Sequence, residues 1–503
     1  MSTKPVDRAK RFLILAAALL MSVLPLAGQP KQITILHTND MHASFLPHEA
    51  FWIRQNPKPL VGGFNELAFA IDSIRKIRTS TLVLDAGDLM TGNPITDRVY
   101  HGAEGGALVE MLNLIGYEGW TPGNHEFDIS YENFQKLTAI GNFPVVAANL
   151  INKKTGMPVT GREYVIIEKN GLKIGMFGLM SKEFYTLVDH NSTKQVQLLS
   201  PIQTAKRLVG VLRSRTDLVV ALSHQGVDDD SLLAANIKGL DVIIGGHSHT
   251  RLTKPMLVNG VIIVQTGINS ENLGILDLTV DHGTVMKWNG ELHQLWYHPS
   301  RKTVVTALVD SFKTEIDREY SEVIGTMEGA PGSAESGGAI ANFIADALRE
   351  GAKTDISFIN SGGIRKKLTP GVITKRALYE LLPFRNKLTT FRVTGEQLRS
   401  IVRYIIANRP GVYVSGVDCE WRVAANGTTE IVRLFVQGNP INENTSYTGT
   451  ADDYVMGEAK RYLGIDTPPL TYLNETVCTV VDKRVRAGKI ISARAEERIK
   501  EIK

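Results

Sequence analysis

The sequence predicts an α/β protein, on three observations. Short apolar runs rich in Val, Ile and Leu recur between residues 32 and 300 and are bounded by Gly, Asp or Asn, as strands covered on both faces are. Segments with helical spacing separate several of them, which is the alternation of an α/β fold. The chain of 503 residues is 43 % hydrophobic and 21 % charged, an ordinary globular composition whose length suggests roughly two to four domains.

The first element stands outside that globular part. Lys4, Arg8, Lys10 and Arg11 precede "FLILAAALLMSVLPL", and "AGQ" follows. A basic start, a short apolar core and small residues describe a secretory signal peptide over residues 1–29, cleaved near 27–29. The apolar core is about 15 residues long and contains Pro25, short of the ~20 that a spanning helix needs. No Cys lies at the junction to carry a lipid. The segment holds four basic side chains and Asp7, so removing its +3 takes the formal +4 to about +1. Bulk charge then gives no argument for nucleic-acid or membrane binding.

From residue 30 to 300 the runs follow in order: "QITILHTND", "TSTLVLDAGD", "FPVVAANL", "LKIGMFGLM", "TDLVVALSHQG", "LDVIIGGHSH" and "GVIIVQTG". Helical spacing is seen over 64–77 and 201–215. A helix with one charged face is predicted over 303–322, and the Gly, Ala and Ser of "EGAPGSAESGG" predict a loop, so residues 301–328 read as a linker. A second domain over 329–490 mixes the helix "AIANFIADALREGA" with the strands "DISFIN", "TTFRVTG" and "IVRLFVQG". The charged tail 491–503 reads as a solvated terminal helix. Cys419 and Cys478 are the only cysteines. In an exported chain they can pair, closing a loop worth roughly 4 kcal/mol, and the sequence leaves that pairing open.

The polar residues that carry chemistry fall just past the ends of these runs. They are Asp40 and His42, then Asp88, then Asn124, His125 and Asp128, then His224, then His247 and His249. In an open α/β sheet the carboxyl ends of strands share one edge, so residues far apart in sequence meet there. Carboxylate, imidazole and amide oxygen suit Zn, Mn, Fe or Mg. Gly245 and Gly246 allow close backbone approach beside His247. His37, His48, His101, His190, His282, His293 and His298 lack such a context and read as structural or exposed.

The series "NDMH … GD … GNHEFD … SH … GGHSH" resembles the calcineurin-like dinuclear metallophosphoesterases over most of residues 33–280. The resemblance implies a four-layer α/β/β/α sandwich with two divalent metals. It implies that Asp40, His42, Asp88 and His249 hold one ion, and that Asp88 bridges to a second completed by Asn124, His224 and His247. His125 would act on the phosphoryl group or leaving oxygen, with Asp128 orienting it, while a metal-activated water attacks in line.

In the second domain "NSGGIR" (360–365) and "LLPFRN" (381–386) resemble elements of the 5′-nucleotidase C-terminal domain, an α+β substrate-binding unit. They imply that Asn360 and Arg365 contact phosphate or ribose and that Phe384 stacks on the base. Tyr454, in "TADDYVMG", is the counterpart of a second stacking aromatic, although Asp452 and Asp453 replace glycines there. Arg385 stands where the family has Gly, and the family's Arg before the helix of "SAESGGAIANFIADAL" has no counterpart.

The expectation is an exported, periplasmic or secreted phosphohydrolase that releases phosphate from nucleoside 5′-monophosphates. Its alternatives are hydrolysis of 2′,3′-cyclic nucleotides, UDP-sugars or nucleoside di- and triphosphates, and outside enzymes a surface nucleotide-binding protein. Substrate is the only partner implied: no nucleic acid, no stable membrane insertion after cleavage, and an open oligomeric state.

Overall fold

The computed structural model describes residues 29–502 except 56, 79, 329–337, 367, 369, 425–426 and 493–495. The expected signal peptide up to residue 28 and most of the "EGAPGSAESGG" loop lie outside the described residues. Among the described residues no helix is long and apolar enough to cross a membrane.

Two sheets build the first part of the chain. One runs in the order Thr284–Gln294, Asn272–Asp281, Lys31–Thr38, Thr81–Asp85, Gly119–Trp120. Its last three strands are parallel. The other runs Met256–Val258, Val261–Val264, Val242–Gly245, Leu218–His224, Leu172–Met180, Tyr164–Lys169, with its four inner strands parallel.

The alternation within each apolar run explains the layers. Ile33, Ile35, Leu82 and Leu84 of the first sheet pack on Met176, Val220, Leu222 and Ile244 of the second. Leu36 and Val83 point the other way, onto the helices Phe64–Ile77, Gly106–Ile115 and Thr306–Tyr320. Phe177, Ala221 and Ile243 face the helices Pro201–Leu212 and Val227–Asn236. Both faces of both sheets are covered, so the order is helix, sheet, sheet, helix, a four-layer sandwich. Fully burying each such side chain stabilises by roughly 1.5–3 kcal/mol. The helix Thr306–Tyr320 contributes Val309, Phe312, Ile316 and Tyr320 to the core on the outer face of the first sheet, with Leu36 and Val83.

The later part has its own sheet, ordered Val412–Ser415, Ile356–Asn360, Ser446–Asp452, Lys387–Thr394, Thr471–Thr476. The helices Gly338–Ala352 and Val477–Gly488 close one core on it. The helix Gly395–Asn408, started by a Thr394–Gln397 capping box, closes another.

Two expectations fail locally. "FPVVAANL" is not a regular strand: Trp120 N donates to Pro144 O and Val146 N to Trp120 O, then Ala148 N donates to Gly178 O. The segment crosses from one sheet to the other, so no single ladder forms until Leu150–Asn152. The tail is not a solvated helix. Ile490–Ser492 pairs in parallel with Val323–Glu328, and Ile499–Glu501 pairs with Val417–Val423. Ile499 alternates inward onto a core, and Arg498 is pinned to Asp346 Oδ2 and Val414 O, each at 2.8 Å. Cys419 and Cys478 are both free. They sit in different cores.

Candidate active site

Strand direction decides where the polar clusters fall. Asp40 and His42 follow Lys31–Thr38, Asp88 follows Thr81–Asp85, and Asn124 and His125 follow Gly119–Trp120. His224 closes Leu218–His224, and His247 and His249 follow Val242–Gly245. The parallel strands deliver all of these to one edge of the two sheets. Leaving the strands takes a sharp turn each time. Asp40 (φ 50°), His42 (45°), Asp88 (57°), His247 (78°) and His249 (54°) all lie in the left-handed region. That concentration of unfavourable backbone is stored where the surroundings over-determine it: Asp40 N donates to Gly87 O and His42 N to Asp88 O.

Two groups of ligand atoms result, each within 4.8 Å: Asp40, His42, Asp88 and His249, and Asp88, His224 and His247. Asp88 belongs to both. His42 Nε2 and His249 Nε2 face each other at 3.0 Å, and His224 Nε2 lies 3.1 Å from Asp88 Oδ2. The Asn124 amide oxygen is buried without a hydrogen-bond partner. Opposed imidazole nitrogens, two carboxylates and an orphaned amide oxygen in a buried space are a donor set that fits two divalent cations.

The protonation states suit that fit. Burial, with the Arg365 charge second, holds His42 well below the ordinary imidazole value and pushes His249 down to about 3. Burial and then the His224 charge lower His247 to about 4. Burial opposes charge on His224, but Asp88 outweighs it and raises His224 to about 10. Burial also opposes ionisation of Asp88, and His224 and His125 overcome it, holding Asp88 well below the carboxylate range. Neutral imidazoles and an ionised shared carboxylate are what cations require, and His224 would give up its proton to them.

A supporting layer holds the ligands, and sequence reasoning missed it. Both oxygens of buried Glu126 accept backbone N–H bonds: from Leu89 (2.8 Å) and Met90 (3.1 Å), and from Asp88 (3.0 Å) and Gly123 (2.5 Å). Asn39 donates to Asp40 Oδ2 at 2.6 Å and accepts from Thr266 N and Oγ1 at 2.8 Å. His224 Nδ1 donates to Ala86 O at 2.7 Å, which turns Nε2 toward Asp88. Glu126 and Asn39 lie inside "GNHEFD" and "NDMH", the one signal that could have found them. Gly123 is required by approach: a Cβ there would meet Asp88 Oδ1 at 2.1 Å and His224 Cε1 at 2.6 Å.

His125 stands at the rim of the cluster. Its Nε2 is 3.9 Å from Asp88 Oδ2, and its Nδ1 donates to Asp128 Oδ2 at 2.7 Å. Thr91, with no signal in the sequence, donates to the same Asp128 oxygen at 2.6 Å.

The residues expected to bind substrate separate into two places. Arg365 reaches the cluster, its Nη2 donating to His42 Nε2 at 3.2 Å. Phe384 lies against His125, ring centroids 5.6 Å apart, with the Arg365 guanidinium 5.9 Å over its face. Asn360 instead donates to the Tyr462 hydroxyl at 3.4 Å. Tyr454 is joined to Tyr462 by a 3.4 Å hydroxyl contact and donates to Thr186 O at 2.8 Å.

Comparison with known proteins gives the family and the fold. Residues 33–251 match the family described as calcineurin-like phosphoesterase, and residues 323–464 match the 5′-nucleotidase C-terminal domain. A 5′-nucleotidase of Diplobatis ommata is 28 % identical over 528 residues, covering 93 % of this chain and 90 % of the relative. An NAD 5′-nucleotidase of Haemophilus influenzae is 25 % identical over 549 residues, covering 90 % of each. The crystal structure of a 5′-nucleotidase precursor from Thermus thermophilus shares the fold, with a TM-score of 0.80 and 23 % identity over 94 % of this chain and 99 % of that one.

Proposed function

Because the chain belongs to the 5′-nucleotidase family of calcineurin-like phosphoesterases and is a metal-dependent phosphoester hydrolase, we propose that it releases phosphate from nucleoside 5′-monophosphates, and does so outside the cytoplasm. The observation that carries this reading is the meeting of Arg365 and Phe384 with the Asp/His cluster. A fixed cation suits phosphate oxygens, and an aromatic face beside it suits a base, a contact worth ~1–3 kcal/mol in nucleic-acid systems. The basic, apolar and small-residue start of the chain supports export.

In this reading Asp40, His42, Asp88 and His249 would hold one ion, and Asp88, Asn124, His224 and His247 the other. Two such ions, whether Zn, Mn, Fe or Mg, would supply Lewis acidity to phosphoryl oxygens and lower the pKa of water. Glu126 and Asn39 keep the carboxylates in place. His125, oriented by Asp128, holds a proton at Nε2 for the leaving oxygen or the developing phosphoryl charge. Arg365 and Phe384 orient phosphate and base, whereas Asn360 and Tyr454 stand apart from the cluster, joined through Tyr462.

The test is phosphate release by the mature, metal-stripped protein from AMP, 2′,3′-cyclic AMP, ATP and UDP-glucose, with Zn²⁺, Mn²⁺ and Mg²⁺ restored in turn. The cyclic diester is run with an added monoesterase. Metal-dependent release that is fastest from AMP is expected. Preference for another of the four would overturn the monophosphate reading and leave the metal centre intact.

A further inference from the structure

We infer that Arg385 is a positioning residue that fastens the Phe384 loop of the second domain to the first domain through Asp97 and Glu104. This rests on the reading that Phe384 meets the substrate. Arg385 Nη2 donates to Asp97 Oδ1 at 2.9 Å and to Glu104 Oε1 at 2.7 Å. The glycine expected at this place would make neither bond.

Both carboxylates come from one short segment. The turn Pro94–Asp97 leads into the two-strand ribbon Val99–Tyr100 and Ala103–Glu104. The segment starts beside Thr91, whose hydroxyl is bonded to the Asp128 that orients His125. It therefore touches the His125–Asp128 pair at one end and the second domain at the other.

Neighbouring contacts show a built junction rather than one chance surface pair. Buried Asn93 donates to Glu380 Oε1 at 2.9 Å, and Lys366 donates to Glu380 Oε2 at 2.9 Å. The Thr96 and Tyr379 hydroxyls lie 3.2 Å apart. Phe384 immediately precedes Arg385, so fixing the guanidinium fixes the ring's seat 5.6 Å from His125. Without Arg385, two carboxylates of this one segment would stand close together on the first-domain side of the junction with no cation between them.

Arg385 is half exposed, so the effect is modest and sensitive to salt. In Arg385→Gln, KM for AMP is expected to rise about two- to tenfold with kcat changed less, and the difference from wild type to shrink at high ionic strength. Arg385→Lys restores much of the effect. The pair Asp97→Asn and Glu104→Gln gives the same KM, and adding Arg385→Gln to it gives little more. Amide hydrogen exchange, which needs no turnover, should quicken in segments 98–104 and 379–386 alone. Unchanged KM and exchange in Arg385→Gln, or full additivity with the carboxylate variants, overturns the inference. If the wild type does not turn over AMP, the proposed function fails, and hydrogen exchange still decides whether the fastening exists.

Discussion

The imidazole of His125 donates from Nδ1 to Asp128 Oδ2 at 2.7 Å, and that carboxylate oxygen is held in turn by Thr91. A histidine so held presents Nε2 in one tautomer and one direction, toward Asp88 at 3.9 Å. Positioned proton transfer is worth roughly 10²–10⁴-fold in rate. His125→Ala should therefore lower kcat by about that factor while leaving metal content and nucleotide affinity near wild type. Elemental analysis and calorimetric titration beside the rate assay check this. Turnover at the wild-type rate would remove His125 from the chemistry.

The same pair predicts a pH shift. Burial works against the imidazolium of His125, but the charges of Asp128 and then Asp88 outweigh it and raise its pKa. A raised value keeps the proton available to higher pH. Asp128→Asn removes the largest favourable charge, so the alkaline limb of the kcat/KM profile should move to lower pH. A limb that stays in place would assign it to another group.

Glu126 holds the Asp88 turn and Gly123 through four N–H bonds. Glu126→Gln turns one acceptor oxygen into a donor facing N–H groups. Supporting groups of this kind cost about 10–100-fold in metal affinity when replaced. Titration of the stripped variant with Zn²⁺ should show a loss in that range. Unaltered affinity would make Glu126 a fold residue only.

Phe384 and Tyr454 differ in place, and their variants should differ too. Phe384→Leu removes the flat face beside His125 and should raise KM for AMP severalfold with little change in stability. Tyr454→Phe loses the bond to Thr186 O, worth about 0.5–1.5 kcal/mol, and should lower the melting temperature while changing KM less. The reverse pattern would exchange the two roles.

Asp230 is buried beside Ser223, whose hydroxyl donates to it. Burial raises its pKa from 3.8 to about 8. The folded state keeps this proton between those values and the unfolded state does not, so the group's contribution is full below pH 3.8 and is lost as pH rises to about 8. Asp230→Asn carries no titrating proton. Its urea midpoint, compared with that of wild type between pH 4 and 8, should gain steadily as pH rises. A constant difference would contradict the raised value.

Much of the centre was legible in the sequence because each ligand cluster is tied to the end of an apolar run. Apolar periodicity marks a buried strand locally, and parallel strands bring their carboxyl ends to one edge. Asp40, His42, Asp88, Asn124, His125, Asp128, His224, His247 and His249 could thus be gathered without knowing any distance, while the assignment of seven of them to two ions came from the resemblance alone. The helices at Phe64–Ile77, Pro201–Leu212 and Gly338–Ala352 were legible for the same local reason. Segments whose pairing depends on distant partners were not. Residues 143–150 cross between sheets, and Ile499 pairs with Cys419, far earlier in the chain.

The α/β class, the two-part organisation and the chemistry of the donor set follow from local pattern and residue type along the chain. It takes the folded arrangement to show that Arg365 meets His42 across 323 positions, that Phe384 rather than Tyr454 faces His125, and that Arg385 bridges Asp97 and Glu104. Those contacts arise from the packing of one folded unit on another, and no periodicity along the chain encodes the relative placement of two surfaces.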